Sequence, residues 1–96
     1  MKAPAVYILA SKRNGTLYIG VTSNLPQRIW QHKNHLIEGF TKTYNVILLV
    51  YYEQHLTITS AIEREKDLKR QKRETKIVLI EQMNPYWHDL YGDIIK

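Results

Sequence analysis

The sequence predicts an α+β fold, a small three-stranded antiparallel sheet flanked by helices in the order β-β-α-β-α-α, and three observations carry that prediction. Two β-rich runs, "PAVYILA" and "TLYIGV", are separated by "SKRNGT", whose Asn14-Gly15 pair tolerates positive φ, as a hairpin turn requires. A nearly continuous apolar run, "YNVILLVYY", is rich in β-branched and aromatic residues and has the pattern of a strand covered on both faces. Around it lie segments with helical periodicity and capping residues. The 96 residues suit one domain spanning 1–96, with a modest core that buries about 60–65% of the unfolded surface.

In the hairpin, pairing Ser11 with Thr16 across a four-residue loop places Tyr7 opposite Gly20, with Tyr18 its diagonal neighbour on the same face at about 7–8 Å. Two phenols then flank a bare glycine. A glycine late in a strand marks a place where something approaches the backbone closely, and a ligand is one candidate. Tyrosine is also an ordinary strand residue and seven occur here, so the pair alone says little.

The first helix begins at Asn24, whose side chain can cap it, with Pro26 in the first turn where a missing N–H costs nothing. It is expected to run to about Ile37 and stop near Gly39. Leu25, Ile29 and Leu36 form its apolar stripe; Arg28, His32 and His35, spaced i, i+4, i+7, form a polar one. Arg28 offers a fixed fork of donors for a phosphate, and His32 can exchange a proton near neutral pH, whereas His35 is expected in solvent. A zinc site is not expected: cysteine is absent, and His55 and His88 lie in distant segments without ligand spacing.

Thr57 or Thr59 caps the second helix, expected from Ile58 to about Lys72. "TKIVLIEQMN" has β-branched residues that suit a strand, but Ile77, Ile80 and Met83 repeat at helical spacing, and helix is the reading adopted. Pro85 ends it, and "YWHDLYGDI" is read as a short closing helix whose aromatics pack on the core. The second helix carries an anomaly. At about 100° per residue, Ile58, Ala61, Ile62, Leu68 and Lys69 fall on one side, with Glu65 near the middle of it and Glu63 pointing the opposite way. A carboxylate on an apolar face is costly unless paired, hydrogen-bonded or bound to a metal. Its partner is either Arg28, in a structural ion pair, or a divalent ion, and spacing alone does not choose.

Fourteen Lys and Arg against nine Asp and Glu give a net charge of +5 and a pI near 9.5, which favours an anionic partner such as nucleic acid. Seven of the cations, Arg64, Lys66, Lys69, Arg70, Lys72, Arg73 and Lys76, lie within 64–76, although a charge run by itself is ordinarily a solvated face. The absence of cysteine fits a reducing compartment. The start, "MKAPAVYILASKR", imitates a signal peptide, but its apolar run is short and interrupted by Pro4 and Tyr7, so it is read as a strand. No run approaches the ~20 apolar residues of a membrane span. A cytoplasmic location is the expectation.

The set resembles the GIY-YIG nucleases. The two tyrosine tripeptides read Ala5-Val6-Tyr7 and Tyr18-Ile19-Gly20, and the resemblance continues through Arg28 and His32, through Glu65 in "AIEREKDLK" and through Asn84 in "NP"; "TYNVILLVYYE" and "NPYWHDLY" are similar to the small bacterial stand-alone members. Ala5 stands where the family name has glycine. The resemblance implies a metal-dependent phosphodiesterase acting on DNA, with RNA left open. In it Glu65 holds one Mg²⁺ or Mn²⁺, Tyr7 is the general base and Tyr18 positions the water or the phosphate. Arg28 stabilises phosphate charge, His32 assists proton transfer or hydrogen-bonds Tyr7, and Asn84 makes a supporting hydrogen bond. Gly20, Arg28, Lys69, Arg70, Lys72 and Arg73 are the expected nucleic-acid contacts, the cations tracking the backbone without reading sequence. Only one inward acid is found, so one metal is expected rather than two. A role in DNA repair or recombination, structure-selective nicking and recruitment by a protein partner fit such a chain. The rival readings are a non-catalytic nucleic-acid-binding module and a protein adaptor using Trp30, Tyr86 and Trp87.

Overall fold

The computed structural model describes residues 3–96; Met1 and Lys2, which begin the signal-like run, lie outside the described residues. Strands β1 (Ala5–Ala10), β2 (Leu17–Thr22) and β3 (Leu48–Gln54) form one antiparallel sheet in the order β2-β1-β3. The hairpin has the expected register: the Ser11 N–H donates to the Thr16 carbonyl at 3.0 Å, Asn14 takes φ 58°, and Tyr7 faces Gly20. The helices are α1 (Leu25–Lys33), α2 (Phe40–Thr43), α3 (Ile58–Arg70), α4 (Arg73–Met83) and α5 (Tyr91–Ile94). The expected order holds, with the four-residue α2 added and α5 standing within the segment read as a short closing helix.

Alternation along β1 sends its residues to two cores. Val6, Ile8 and Ala10 pack with Ala61 and Leu68 of α3 and Ile80 of α4; Ala5, Tyr7 and Leu9 pack with Leu25 and Ile29 of α1 and Ile94 of α5. All six residues of β1 are buried, so the strand "covered on both faces" in the fullest sense is the central one. In β3 a bulge between the partners of Ile8 and Leu9 leaves Val50 as the extra residue. Asn84, the C-cap of α4, answers it: its amide donates to the Val50 carbonyl at 3.2 Å and to the His88 carbonyl at 2.7 Å, while its oxygen accepts from the His88 N–H. The supporting hydrogen bond expected of Asn84 exists, but it clamps the bulge and the turn after α4.

Three boundaries differ from expectation. Helix α1 stops at Lys33 instead of near Ile37, because His35 turns left-handed at φ 55° and closes a Schellman pattern, with the His35 N–H on the His32 carbonyl and the Leu36 N–H on the Gln31 carbonyl. Helix α3, capped by Thr57, ends at Arg70, and extended backbone at Gln71 and Lys72 starts α4 as a separate helix. The closing helix shrinks to Tyr91–Ile94. There Asp89 and Leu90 cover part of the β3 edge, Asp89 accepting from the Leu49 N–H and pairing with Lys33, and the Leu90 N–H donating to the Leu49 carbonyl. Of its aromatics Trp87 enters the core, its indole N–H on Glu81, and the partly buried Tyr91 packs against the other core; Tyr86 is exposed, as is Trp30.

Candidate active site

The site is built at the β2 side of the sheet by four elements. Strand β1 supplies Tyr7, β2 supplies Tyr18, α1 supplies Arg28 and His32, and α3 supplies Glu65. Gly20 explains why the first two meet: a Cβ there would overlap the Tyr7 ring carbon and hydroxyl, so the close approach that the glycine permits is made by Tyr7 itself. The three rings cluster, with centroids 6.3 Å apart for Tyr7–Tyr18, 5.7 Å for Tyr7–His32 and 5.6 Å for Tyr18–His32. Gly20→Ala should therefore lower stability by about 1–3 kcal/mol as the Tyr7 ring is displaced, and urea unfolding of the variant checks it; in a Tyr7→Ala background the same glycine change should cost less.

His32 is almost wholly buried, at 2 % exposure, and both its ring nitrogens are engaged: Nε2 with the Tyr7 hydroxyl at 2.9 Å and Nδ1 with the Thr41 hydroxyl at 3.0 Å. Burial, reinforced by the charge of Arg28, pushes its pKa down to about 4, so the imidazole is neutral at physiological pH. Burial and the neighbouring Tyr18 push the Tyr7 phenol well above the usual tyrosine range, against the opposing pull of Arg28 beside its oxygen. Arg28 favours the phenolate, but in the protein alone desolvation outweighs it.

The neutral histidine has a consequence for stability. Between about pH 4 and the ordinary value of 6.5 the unfolded chain binds a proton on His32 that the folded chain does not, so this contribution is intact above pH 6.5 and is lost as pH falls towards 4. The loss should amount to about 3 kcal/mol, read from urea unfolding between pH 4 and 7.5, and His32→Gln should flatten that slope.

Glu65 sits on the sheet-facing side of α3, its side chain only 16 % exposed, and its charge is felt at the Tyr7 hydroxyl. Its ion-pair partner is Lys69, at 3.4 Å one turn on, and not Arg28. The structural Arg28 pair is therefore corrected; Arg28 lies against Tyr7 instead. The buried line of α3 runs through Ala61 and Leu68, with Ile58 and Ile62 exposed and Glu63 in solvent as expected. One carboxylate flanked by a weak i,i+4 lysine suits a hard divalent ion such as Mg²⁺ that fills its remaining positions with water and phosphate oxygens. Among the described residues no group of three or more carboxylate or imidazole side chains could cage a metal unaided.

The basic run divides. Arg64 turns inward and binds Glu53 at 3.1 Å and Asp67 at 3.3 Å, and so leaves the cationic face. Glu53 is further held by Tyr51 and His55; burial raises its pKa, but these hydrogen bonds and the Arg64 charge outweigh it and keep it below the usual carboxylate range. Arg73 spends one guanidinium nitrogen on the Asn14 and Gly15 carbonyls of the hairpin loop. Lys69 and Lys76 instead line a cleft of about 300 Å³ with Leu17, Tyr18, Ile19 and Phe40, and Phe40 stacks near Tyr18 with centroids 6.4 Å apart. Arg70 and Lys72 stand exposed beyond it. Phe40 and Thr41 were not expected in the site. The only sequence signal for Phe40 and Thr41 is that "GFTKTY" follows an αL stop, which folds it back over α1.

A model of the GIY-YIG catalytic domain matches residues 3–77, a span that contains every one of these site residues and leaves out Asn84. UPF0213 protein SH2523 of Staphylococcus haemolyticus is 36% identical over 77 residues, covering 80% of this chain and 93% of the relative. UPF0213 protein SSP2268 of Staphylococcus saprophyticus is 34% identical over the same coverage, and UPF0213 protein SA0446 of Staphylococcus aureus is 30% identical over 82 residues, 85% of this chain and 99% of the relative. No solved structure matches the chain with significance. Among the described residues no helix is long and apolar enough to cross a membrane.

Proposed function

Since the chain belongs to the GIY-YIG family, a nuclease family, we propose that residues 1–96 act as one metal-dependent endonuclease unit that hydrolyses phosphodiester bonds in DNA. The observation that carries this reading is the convergence of Tyr7, Tyr18, Arg28, His32 and Glu65 from four elements at the β2 edge of the sheet. A nucleic-acid binder needs cations, but it has no use for a half-buried carboxylate facing a buried phenol.

In this reading Tyr7, as the phenolate, takes the proton of a water placed in line with the scissile bond. The water oxygen bonds to phosphorus as the bond to the 3′ oxygen breaks. Arg28 steadies the phosphoryl charge and favours the phenolate, and Tyr18 orients the water or a phosphate oxygen. Glu65 would hold the Mg²⁺ or Mn²⁺, which supplies positive charge for the phosphoryl and leaving oxygens when bound. The Lys69 pair does not bar this, since an i,i+4 helix pair with a half-exposed lysine is worth only about 0.3–0.5 kcal/mol.

The cleft suggests what approaches. Ring surfaces of Tyr18 and Phe40 offer a face for one unpaired base, with Lys69 and Lys76 for its phosphates and Arg70, Lys72 and the exposed part of Arg73 further along the strand. Such an enzyme fits DNA repair or recombination in the cytoplasm, with targeting left to a protein partner. The test is to incubate the purified protein with single-stranded, duplex, branched and supercoiled DNA, with Mn²⁺ or Mg²⁺ and with chelator. Metal-dependent cleavage, fastest on unpaired strands, is expected. Salt-sensitive binding without cleavage under every metal would replace the enzyme by a binding module.

A further inference from the structure

The line Thr41–His32–Tyr7 contains three polar hydrogens and two hydrogen bonds, so one hydrogen points off the line. Where it points decides what His32 does. Thr41 is 3 % exposed, its Oγ1 meets only His32 Nδ1 among the described residues, and its helix is held against α1 from beyond by the Val46 N–H on the Thr41 carbonyl at 2.9 Å. If Nδ1 carried the histidine proton, the Tyr7 hydroxyl would donate to Nε2 and the threonine hydrogen would be the surplus one, stranded in the core at a cost of about 1–3 kcal/mol. If Nε2 carries it, Thr41 donates to Nδ1, Nε2–H donates to the Tyr7 oxygen, and the surplus hydrogen is the phenol's. That end of the line lies in the field of the largely buried Glu65, whose negative charge is felt at Tyr7. A surplus hydrogen is held more cheaply there, in the field of a carboxylate, than at the threonine end, where Thr41 Oγ1 has His32 as its one partner among the described residues.

We propose that Thr41 is a positioning residue that fixes His32 as its Nε2–H tautomer, making His32 a donor to the Tyr7 oxygen and not the acceptor of its proton. The catalytic consequence rests on the nuclease reading; the tautomer does not. The imidazole is neutral throughout, consistent with its burial beside Arg28. Tyr7 oxygen then faces one oriented N–H and one guanidinium, both of which favour the phenolate. This assigns the base to Tyr7 and leaves His32 the task of stabilising it.

Nitrogen-15-labelled protein provides the test, because long-range proton–nitrogen correlations show which ring nitrogen of His32 is protonated. The wild type should show Nε2–H at neutral pH, and Thr41→Ser, which keeps the hydroxyl, should match it. Thr41→Val keeps the shape but removes the donor, so nothing then fixes the choice and a second population with Nδ1–H should appear. In a cleavage assay the valine variant should be slower by about tenfold at neutral pH, roughly one hydrogen bond to a charged group, with its pH–rate profile displaced to higher pH. An Nδ1–H wild type, or an unchanged Nε2–H population in Thr41→Val, overturns the inference. If no variant nor the wild type cleaves DNA, the spectra still decide the tautomer, and it is the nuclease reading that falls.

Discussion

Tyr7→Phe should leave a folded protein that cleaves DNA about 10²–10⁴-fold more slowly than the parent, the usual worth of a positioned general base. The ring remains against Gly20 and Tyr18, so packing is kept. What goes is the hydroxyl at 2.9 Å from His32, whose buried nitrogen loses a partner at a cost of about 1–3 kcal/mol. Because burial lifts the Tyr7 pKa far above neutrality, only a small fraction is phenolate at pH 7, and that fraction grows about tenfold per pH unit. The parent should therefore cleave faster as pH rises through the neutral and alkaline range, and the phenylalanine variant should lose that slope. Rates of both proteins from pH 6.5 to 9.5 at fixed metal provide the check; a variant that keeps both rate and slope removes Tyr7 from the proton path.

Glu65→Gln should depress cleavage roughly a thousandfold, the several kcal/mol that a metal contributes to a phosphoryl transition state. The amide keeps the shape but not the charge. DNA binding should persist, since the exposed lysines are untouched. Added Mn²⁺ should raise the melting temperature of the parent and leave the glutamine variant unmoved. Without metal the variant should melt close to the parent, because the ion-pair partner lost among the described residues is Lys69, which is half-exposed. A buried Arg28 pair would have predicted a loss of about 3–5 kcal/mol instead. Glu63→Gln, in solvent, is the control expected to change nothing.

What the sequence made legible was local. Asn14 and Gly15 pinned the hairpin turn, and a two-residue period then forced Tyr7 opposite Gly20 and Tyr18 beside them. The cap at Asn24 placed Arg28 and His32 on one face of α1, and helical phase alone put Glu65 inward. The rest depended on contacts between segments that no local rule joins. His35 ends α1 in a conformation that glycine usually takes, and Gly39 offered the more obvious stop four residues later. That turn carries Phe40 and Thr41 back over His32, and nothing in "GFTKTY" announces a buried hydrogen bond to a histidine nine residues earlier. Arg64 reads as one of seven like charges until Glu53, from another strand, draws it inward. Asn84 matched a family position, yet its amide serves a bulge that only the pairing of β3 with β1 creates.

The strand order β2-β1-β3 also bears on how the chain is made. Within this sheet "AVYILA" leaves the ribosome before the other two strands and is the last to be enclosed, because its second neighbour begins only at Leu48. The hairpin with β2 closes within microseconds, but the other edge of β1 stays bare until β3 emerges, a few seconds later at roughly 5–20 residues per second. During that interval an uncharged, proline-free segment of high β propensity is open to pairing with its like on a neighbouring nascent chain. Rapid overproduction should consequently send this protein into aggregates that slower translation, at lower temperature or from a weaker promoter, avoids.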